Sequence, residues 1–595
     1  MKELRALLPY LRRYRVQIAW GIVMVLAANA LSVLSLEYVK LGVDALGRPG
    51  TTRTAVFRYA ALSLGVAILA GAGRYGMREI LNGVSRRVEL DLRDDFFAKL
   101  LRLDAGFYAR HPTGDIMSRA TSDIAAVRMV AGPAYMYLVN TIVFSVFALT
   151  RMAWIDPWMT AASLVPMILL PPVTIWFGNV IHERFEGIQE QQGVMATMAQ
   201  ENLAGQRIVK AYGQEDYQSR RFRELSREYM DRNVELARTS GLFYPSLGLL
   251  AGLAMVVALW IGGRGIMRGE VTNGDFVVFI LYLGMLTWPM IALGWVVNLF
   301  QRGAASMGRV SRVLSAIPAV ADAPDAAAPP RVRGEIEFRD VSFRYPGTER
   351  YVLRALSFRV PAGATVAIVG PTGSGKSTVV QLLTRTYDPT GGEVRVDGIP
   401  VSLWPLERLR AAVAVVPQDT FLFSTTIEEN LALGFHEPDA ERRAERVRAA
   451  ARVARLHDTV AELPAGYATL LGERGINLSG GQKQRAALAR AIARDAEVLV
   501  LDDALSAVDT HTEFEILEGL RGVLAGRTSV IVSHRVTAVM HADLILVLDD
   551  GRLAEQGTHA ELLRHGGVYA ALQRRQLLAE EVDGGDLLAA AGGGA

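Results

Sequence analysis

The fold of the C-terminal half is decided by one stretch, ATVAIVGPTGSGKSTVVQLL, which runs from residue 364 to 383. Its apolar start predicts a strand, a glycine-rich turn follows, and the residues after the lysine predict a helix. The glycines let the backbone curl so that successive N–H groups point at phosphate oxygens, which the positive end of the helix dipole also attracts. The spacing G-x-x-x-x-G-K-S therefore predicts a phosphate-binding loop.

Two side chains of this loop suit a nucleotide with a metal ion. Lys376 can neutralise the β- and γ-phosphates, and the Ser377 hydroxyl can ligate Mg²⁺. The apolar run EVLVL ends at Asp502, a strand-end acid of the kind that holds the Mg²⁺ shell. We therefore expect ATP and Mg²⁺ to bind here. The loop residues expected at ATP are Gly370, Pro371, Thr372, Gly373, Ser374, Gly375, Lys376, Ser377 and Thr378.

The first 300 residues have a different chemistry, with apolar stretches close to the ~20 residues that cross a bilayer. Five of them are nearly free of charge: Val16–Leu36, Met129–Thr150, Pro157–Ile181, Thr239–Gly263 and Phe276–Phe300. A sixth, around Tyr59–Gly73, is the weakest, because its clean run is short and Arg58 would have to extend toward the head groups. The sequence predicts six membrane spans, with proline kinks at Pro166, Pro171 and Pro172 in the fourth and at Pro289 in the sixth.

The basic residues predict the orientation of these spans. Lys2, Arg5, Arg12, Arg13 and Arg15 precede the first span, which places the N-terminus in the cytoplasm and predicts a membrane-surface helix there. The connections after the second and fourth spans are long and rich in Arg, with apolar positions at helical spacing. They predict helices that continue into the cytoplasm, and the C-terminus is expected there too.

Composition sets the remaining bounds. The chain has 595 residues, 51% of them apolar. It has no cysteine, which excludes disulfides and thiolate sites. Its net charge of +3 gives no case for nucleic acid. A stretch rich in Pro and Ala, AVADAPDAAAPPRVRG, interrupts both patterns. We predict a transmembrane domain over 1–318, a linker over 319–334, a nucleotide-binding α/β domain over 335–575, and a disordered tail over 576–595.

The use of the ATP is indicated by LSGGQKQR, whose residues Leu478, Ser479, Gly480, Gly481 and Gln482 resemble the signature motif of the ATP-binding cassette (ABC) family. The resemblance covers nearly the whole chain, since six spans ahead of one cassette is the layout of an exporter half-transporter. It implies a six-span α-helical domain fused to an α/β cassette, the type IV exporter architecture. It also implies a domain-swapped dimer in which each ATP lies between one subunit's phosphate loop and the other's signature.

Further motifs carry the same resemblance. Tyr345 resembles the aromatic residue that stacks on adenine, Gln418 the glutamine that senses Mg²⁺ and the membrane domain, and His534 the switch histidine at the γ-phosphate. Ser506–Asp509 is similar to the loop that crosses the dimer interface, and Gly472–Gly475 to the segment before the signature in exporters. The resemblance implies metal-shell roles for Ser377, Gln418 and Asp502. Short helices near 107–115 and 211–217 would carry movement to the spans.

One residue departs from the family pattern. Where the family has a glutamate that polarises the attacking water, this chain has Asp503. The charge is kept, but the side chain is shorter by one methylene, and a misplacement of about 1 Å can cost ~100-fold in rate. We expect this site to bind ATP and to hydrolyse it slowly. This favours one half of a heterodimer, whose intact signature completes the partner's site, over a homodimer that tolerates the shorter acid.

The resemblance predicts an ATP hydrolase that exports amphipathic molecules (drugs, lipids or peptides) across the cytoplasmic membrane. A regulatory nucleotide-binding subunit, or import on the same fold, remain alternatives. The sequence leaves the substrate open. Polar and aromatic residues within the spans either face a cavity or hold helices together. These are Asn29, Asn140, Asn298, Trp288 and Trp295.

Overall fold

The computed structural model describes residues 2–472, 475, 477–536 and 538–577. The chain divides into two compact units. The first contains the residues up to Leu101 together with Thr113–Ala316, and the second contains Arg102–Pro112 together with the residues from Ile317 onward. The predicted tail lies outside the described residues from position 578, and the predicted linker, 319–334, contains neither helix nor strand.

The first unit is entirely helical in its described part. Its α-helices, with the short α4 that belongs to the second unit, are α1 (Leu8–Arg13), α2 (Arg15–Leu46), α3 (Arg53–Arg102), α4 (Ala105–Arg110), α5 (Thr113–Ser118), α6 (Ile124–Met129), α7 (Tyr135–Ile155), α8 (Pro157–Ile168), α9 (Leu170–Ala204), α10 (Gln206–Ala211), α11 (Glu215–Met267) and α12 (Asn273–Leu314). A 3₁₀ turn, Lys2–Leu7, precedes α1, and π-helical turns at Arg119–Asp123 and Val130–Ala134 join α5, α6 and α7.

Six helical stretches in the described part of the chain are long and apolar enough to span a membrane, which agrees with the six predicted spans. They are Arg15–Leu46, Arg53–Arg102, Thr113–Ile155, Pro157–Ala204, Glu215–Met267 and Asn273–Leu314. The fourth stretch is interrupted at Leu169, and α9 begins at Leu170 with Pro171 and Pro172 in its first turn, two residues without an N–H that cannot continue the hydrogen-bond ladder of α8. The sixth runs uninterrupted through Pro289.

The second span is longer than the sequence pattern suggested. We expected it around Tyr59–Gly73, whereas α3 is one helix of 50 residues. Contacts with the antiparallel α2 extend from Tyr59, opposite Gly42, to Leu81, opposite Gly21. Charged residues from Arg74 onward end the apolar run, and the helix continues beyond it, as the sequence predicts for the connection after the second span.

Polar side chains connect the membrane helices. Asn29 donates to Asn140 Oδ1 at 3.0 Å and so joins α2 to α7, which favours a role in helix packing for both residues. Asn298, Trp288 and Trp295 are exposed on α12 in the isolated chain. Near the N-terminus, α1 is tied to α3, because Tyr10 donates to Asp95 at 2.8 Å. Each of these bonds lies within the first unit.

The second unit is an α/β domain with two sheets. Its strands are β1 (Ile336–Phe343), β2 (Leu353–Val360), β3 (Thr365–Val369), β4 (Gly391–Val396), β5 (Ile399–Pro400), β6 (Val413–Val416), β7 (Val498–Asp502), β8 (Thr528–Val532), β9 (Leu544–Asp549) and β10 (Arg552–Gly557). Its further helices are α13 (Lys376–Leu383), α14 (Leu406–Ala412), α15 (Ile427–Ala432), α16 (Ala440–Val453), α17 (His457–Ala461), α18 (Gly480–Arg494), α19 (Thr510–Leu524) and α20 (His559–His565).

The sheets explain where the site forms. An antiparallel sheet has the order β2-β1-β4-β5, and the larger one has the order β10-β9-β3-β8-β7-β6. In the larger sheet β9, β3, β8, β7 and β6 run parallel, and β7 and β8 are buried at every position, as expected for strands covered on both faces. Carboxyl ends of parallel strands share one edge, so the phosphate loop after β3 and the acids after β7 meet there.

Candidate functional site

The phosphate loop has the backbone that its glycines predict. It joins β3 to α13, and Gly375, at the helix N-cap, has φ 100°, a left-handed conformation that side chains rarely adopt. A Cβ at Gly370 would lie 2.2 Å from the Leu548 carbonyl oxygen, so this position has no room for one. The helix N-terminus has no side-chain cap, which leaves its N–H groups for an anion.

Lys376 is held at the loop by backbone oxygens. Its Nζ donates to the carbonyls of Gly370 at 2.9 Å and Pro371 at 2.8 Å. Burial lowers the pKa of Lys376, while the nearby Asp503 and Asp502 oppose this shift. The Ser374 hydroxyl is buried without a hydrogen-bond partner among the described residues. The loop thus holds a cation and an unpaired hydroxyl, which fits a phosphate group.

The predicted metal shell is assembled in part. The Ser377 hydroxyl donates to Asp502 at 3.1 Å. Burial raises the pKa of Asp502, and the hydrogen bond from Ser377 only partly opposes this shift. Gln418 and these two residues line one open cavity. Among the described residues no cluster of three His, Cys, Asp or Glu side chains could hold a metal alone. The oxygen donors present fit Mg²⁺ that is shared with a nucleotide, since this ion is usually held by one or two carboxylates and phosphates.

An open cavity of about 620 Å³ contains most of the predicted ATP site. The predicted residues that line it are Tyr345, Thr372, Gly373, Gly375, Lys376, Ser377, Thr378, Gln418, Asp502, Asp503 and His534. Six further lining residues were not selected by the sequence analysis, and two of them, Arg350 and Tyr351, follow Tyr345 closely. No motif spacing marks these two, so only the folded cavity identifies them.

Tyr345 lies at the edge of this cavity with its ring packed against other aromatics. Ring centroids lie 5.0 Å from Phe343 and 5.4 Å from Tyr387, both edge to face. Its hydroxyl donates to Gln381 at 2.8 Å and lies 3.0 Å from the Thr378 hydroxyl at the start of α13. The ring is therefore fixed by hydrogen bonds to the same helix that follows the phosphate loop.

The two acids at the C-terminal end of β7, Asp502 and Asp503, differ in environment. Asp502 ends the strand, whereas Asp503 has a left-handed backbone with φ 48°, a conformation that Asp adopts more readily than most residues. The Asp503 carboxylate accepts a hydrogen bond from Nδ1 of His534 at 2.9 Å. The sequence analysis predicted both residues for the site, but it did not predict this backbone conformation or this bond.

The signature forms the N-terminus of another helix. Ser479 is the N-cap of α18, its hydroxyl accepts from the Gln482 N–H at 3.3 Å, and its own N–H donates to the Gln482 side chain at 2.8 Å. Leu478 is buried beside it, and Gly480 and Gly481 begin the helix. None of these residues lines the phosphate cavity of this chain.

The loop after the two acids connects to the signature helix. Gln484 donates to the Ser506 hydroxyl at 2.9 Å and accepts from the Ala507 N–H at 2.8 Å. Asp509 caps α19 by accepting from the Thr512 N–H at 2.9 Å, and this bond lowers the pKa of Asp509. In the segment predicted before the signature, Gly472 and Gly475 are described, while Glu473 and Arg474 lie outside the described residues.

The two segments predicted to carry movement have different surroundings. The helix α4 belongs to the second unit, and a Cβ at Gly106 would lie 3.3 Å from Pro346 and 3.8 Å from Tyr387. The Asp104 side chain caps this helix and accepts from the Ala319 N–H at 2.7 Å. The second segment, 211–217, runs from the last residue of α10 to the first turn of α11 and is exposed throughout.

A phosphate-loop domain with this signature, fused to six spans, defines an ATP-driven membrane transporter. Residues 18–290 match the family model of the ABC transporter transmembrane region, and residues 353–506 match that of the ABC transporter. The chain belongs to the ABC transporter family and has the exporter fold that the sequence predicts.

Relatives extend over almost the whole chain. The probable multidrug resistance ABC transporter ATP-binding/permease protein YheI of Bacillus subtilis (strain 168) is 36% identical over 97% of this chain and 98% of its own length. An ATP-dependent lipid A-core flippase of Aromatoleum aromaticum is 36% identical over 87% and 84%. The solved structure of a bacterial Atm1-family ABC exporter with ATP bound superposes with a TM-score of 0.76, at 33% identity, covering 94% of this chain and 98% of that one.

These findings confirm an ABC exporter of the multidrug and lipid flippase type that couples ATP hydrolysis to transport. With six spans and bacterial relatives, it is a multi-pass protein of the inner membrane. The predicted roles of individual site residues remain predictions.

Proposed function

We propose that this chain is one half of a heterodimeric exporter with two unequal ATP sites. In the proposal, its own phosphate loop and Asp503 form the slow site, and its signature completes the fast site on the partner's nucleotide. The observation that carries the proposal is the short Asp503 carboxylate, bonded to His534 at 2.9 Å, in a chain whose signature helix is fully capped.

The phosphate loop supports ATP binding at the slow site. Lys376 would exchange its carbonyl partners for the β- and γ-phosphates, and the N–H groups of the loop and of α13 would hold the remaining oxygens. Ser377 and Asp502, with Gln418 nearby, would hold Mg²⁺, which shields phosphate charge when bound. The Tyr345 ring would contact adenine, as aromatic platforms do. All these groups are retained, so affinity for ATP is expected to be ordinary.

Slow turnover follows from how Asp503 is held. A general base must be within about 3 Å of the water whose proton it takes. The shorter side chain reaches less far than a glutamate, and its oxygen is already bonded to the His534 ring. The left-handed backbone at position 503 fixes the direction from which the carboxylate enters the cavity. Both features support a carboxylate that preserves charge and binds the switch histidine but serves poorly as a base.

The transported molecules are proposed to be amphipathic, and the termini to be cytoplasmic. The five basic residues that precede the first apolar stretch, Val16–Leu36, support this orientation. Because the chain has no cysteine, a single introduced cysteine can report on which side of the membrane its position lies. A cysteine at Arg48, between α2 and α3, should react with an impermeant maleimide added outside intact cells, and one at Glu215 should not. The opposite labelling would contradict the proposed orientation.

The proposed division of labour between the two ATP sites is tested by comparing ATP hydrolysis of the chain alone with that of the chain and its partner. The chain is purified alone and together with the half-transporter that copurifies from its native membrane, and steady-state ATP hydrolysis is measured for each. We expect low turnover for the chain alone and high turnover for the pair. A chain that purifies as a homodimer with the turnover of the pair would show that the homodimeric alternative is right.

A further inference from the structure

The second membrane helix, α3, has charged residues beside the part of the first, α2, that has none. On α2, the stretch Val16–Leu36 is free of charge between Arg15 and Glu37 and measures about 32 Å at 1.5 Å per residue, the thickness of a hydrocarbon core. On α3, the charged residues Arg74, Arg78 and Glu79 follow the apolar run. Their depth in the membrane depends on how α3 pairs with α2.

The pairing places these charges deep in the membrane. A Cβ at Gly73 would lie 3.2 Å from Ala28 Cβ, and the side chain of Leu81 packs at Gly21. Toward the other end of the span, the Ser35 hydroxyl lies 3.1 Å from that of Ser63. Interpolation between these contacts sets residue 74 opposite about residue 27, near the middle of the 21-residue stretch. Residue 78 is about 6 Å further along the helix axis.

The two arginines share one side of α3. At about 100° per residue they are separated by about 40° around the helix, whereas Glu79 is about 140° away from Arg74. Arg74 donates to the Ser32 hydroxyl at 3.1 Å. Arg78 has no hydrogen bond or ion pair within the described residues, and both arginines are exposed in the isolated chain. Tyr75 beside them is 71% exposed.

Lipid tails cannot solvate this side of the helix. A guanidinium at the bilayer centre is costly by any scale, so such residues face a water-filled cavity or find a counter-ion. Within the described chain no carboxylate pairs with either guanidinium. A planar guanidinium can form paired hydrogen bonds with two oxygens of a phosphate or a carboxylate, and two guanidiniums one turn apart can approach the same anion.

We propose that Arg74 and Arg78 form a binding site, at the centre of the membrane, for the anionic group of an amphipathic substrate. The inference rests on the proposed transport of amphipathic molecules and adds that the transported molecules include phosphate- or carboxylate-bearing ones. The exposed Tyr75 ring provides apolar contact beside the charges. Ser32 orients Arg74, whereas no side chain among the described residues holds Arg78, which makes Arg78 the freer ligand.

The test uses the assembled dimer in phosphatidylcholine nanodiscs, with dodecyl phosphate and dodecyl trimethylammonium as probes. We expect Arg78→Gln, and separately Arg74→Gln, to weaken dodecyl phosphate binding about tenfold or more, since bonds to charged groups are the strong ones. Binding of the cation, and of ATP, should not change. The control is Arg53→Gln on the same helix outside the span. Arg78 makes no hydrogen bond or ion pair in the part of the chain that the structure describes, so its variant separates binding from folding.

Two further arms identify the source of the anion. Phosphatidylglycerol in the nanodisc and phenyl phosphate in solution are each tested as competitors of dodecyl phosphate. Competition by phosphatidylglycerol supports the site with lipid head groups as ligands, and competition by phenyl phosphate supports it with soluble anions. Competition by neither would overturn the proposal, as would unchanged dodecyl phosphate binding in Arg78→Gln or loss of the dimer in that variant. Because ATP binding is measured on the same samples, such a failure is distinct from failure of the unequal-site proposal.

Discussion

Two helix N-termini of the cassette are expected at bound ATP, and they differ in how their N–H groups are capped. At α13 the N-cap is Gly375, and no side chain caps the helix. At α18 the N-cap is Ser479, which forms a reciprocal capping box with Gln482. The first end is an open anion site that a phosphate completes. The second is complete in itself and can only present its surface to a ligand held elsewhere.

The difference suits the proposed division of labour, in which this chain has a weak site of its own and an intact signature for the partner's site. The groups around α13 include Asp503, the one departure from the family pattern that bears on the attacking water. The groups around α18 have no such departure, and Gln484 fixes the following loop to that helix through Ser506 and Ala507. Damage at the two ends should therefore affect different nucleotides.

The largest effect is expected at the signature end. Gly480→Asp places a carboxylate on the surface that would face the partner's γ-phosphate, and repulsion should lower turnover of the dimer about 100-fold or more. ATP binding to this chain's own loop should be unchanged. The matched control is Gly522→Asp on α19, where an added side chain meets nothing within 4 Å. Steady-state ATP hydrolysis by the dimer measures the effect. If Gly480→Asp turned over ATP as fast as the control, the signature of this chain would not belong to the partner's ATP site.

At the phosphate-loop end, Lys376→Ala should strongly weaken ATP binding at one of the two sites only. Loss of two charge-assisted hydrogen bonds predicts about a 100-fold lower affinity for ATP in this chain. Equilibrium binding to the assembled dimer should then show one tight site where the unaltered dimer shows two. Lys2→Ala, an exposed lysine at the N-terminus, is the control. Two tight sites in Lys376→Ala would contradict the assignment of this loop.

Much of this comparison could be predicted from the sequence, because phosphate loops and signatures need particular residues at fixed spacing. Local backbone geometry was not accessible in this way. The left-handed conformation of Asp503 depends on contacts after β7, and its bond to His534 joins residues 31 positions apart. The depth of Arg74 depends on the pairing of α3 with α2, which an apolar-run criterion cannot detect. Arg350 and Tyr351 carry no motif.

A smaller effect is expected where the base contacts the protein. Tyr345→Ala should lower ATP affinity at this chain's site about tenfold, since stacking of a base on an aromatic ring contributes ~1–3 kcal/mol. Tyr345→Phe keeps the ring and loses only the bonds to Gln381 and Thr378, so its affinity should remain within about threefold. Titration with a fluorescent ATP analogue measures both. An unchanged affinity in Tyr345→Ala would mean that adenine is held elsewhere.

Asp503→Glu should modestly reduce the difference in ATP hydrolysis rate between the two sites of the dimer. The longer side chain restores reach toward the water, while phosphate and metal ligands are unaltered, so ATP affinity should stay constant. The left-handed backbone suits glutamate less well than aspartate, which limits the gain to a few-fold rise in hydrolysis at this site. The rise is measured in dimers that also carry Gly480→Asp, where the partner's site is silent. No rise would show that side-chain length is not the limiting feature.

The central claim is tested most directly by the turnover of a dimer that carries Asp503→Ala. If this chain's site contributes little hydrolysis, removing its carboxylate should leave steady-state ATP hydrolysis of the assembled pair within about threefold of the unaltered pair, with both nucleotides still bound. The account predicts that result. A fall of about 100-fold or more, as large as that expected for Gly480→Asp, would mean that Asp503 is a working base and that the two sites are not unequal.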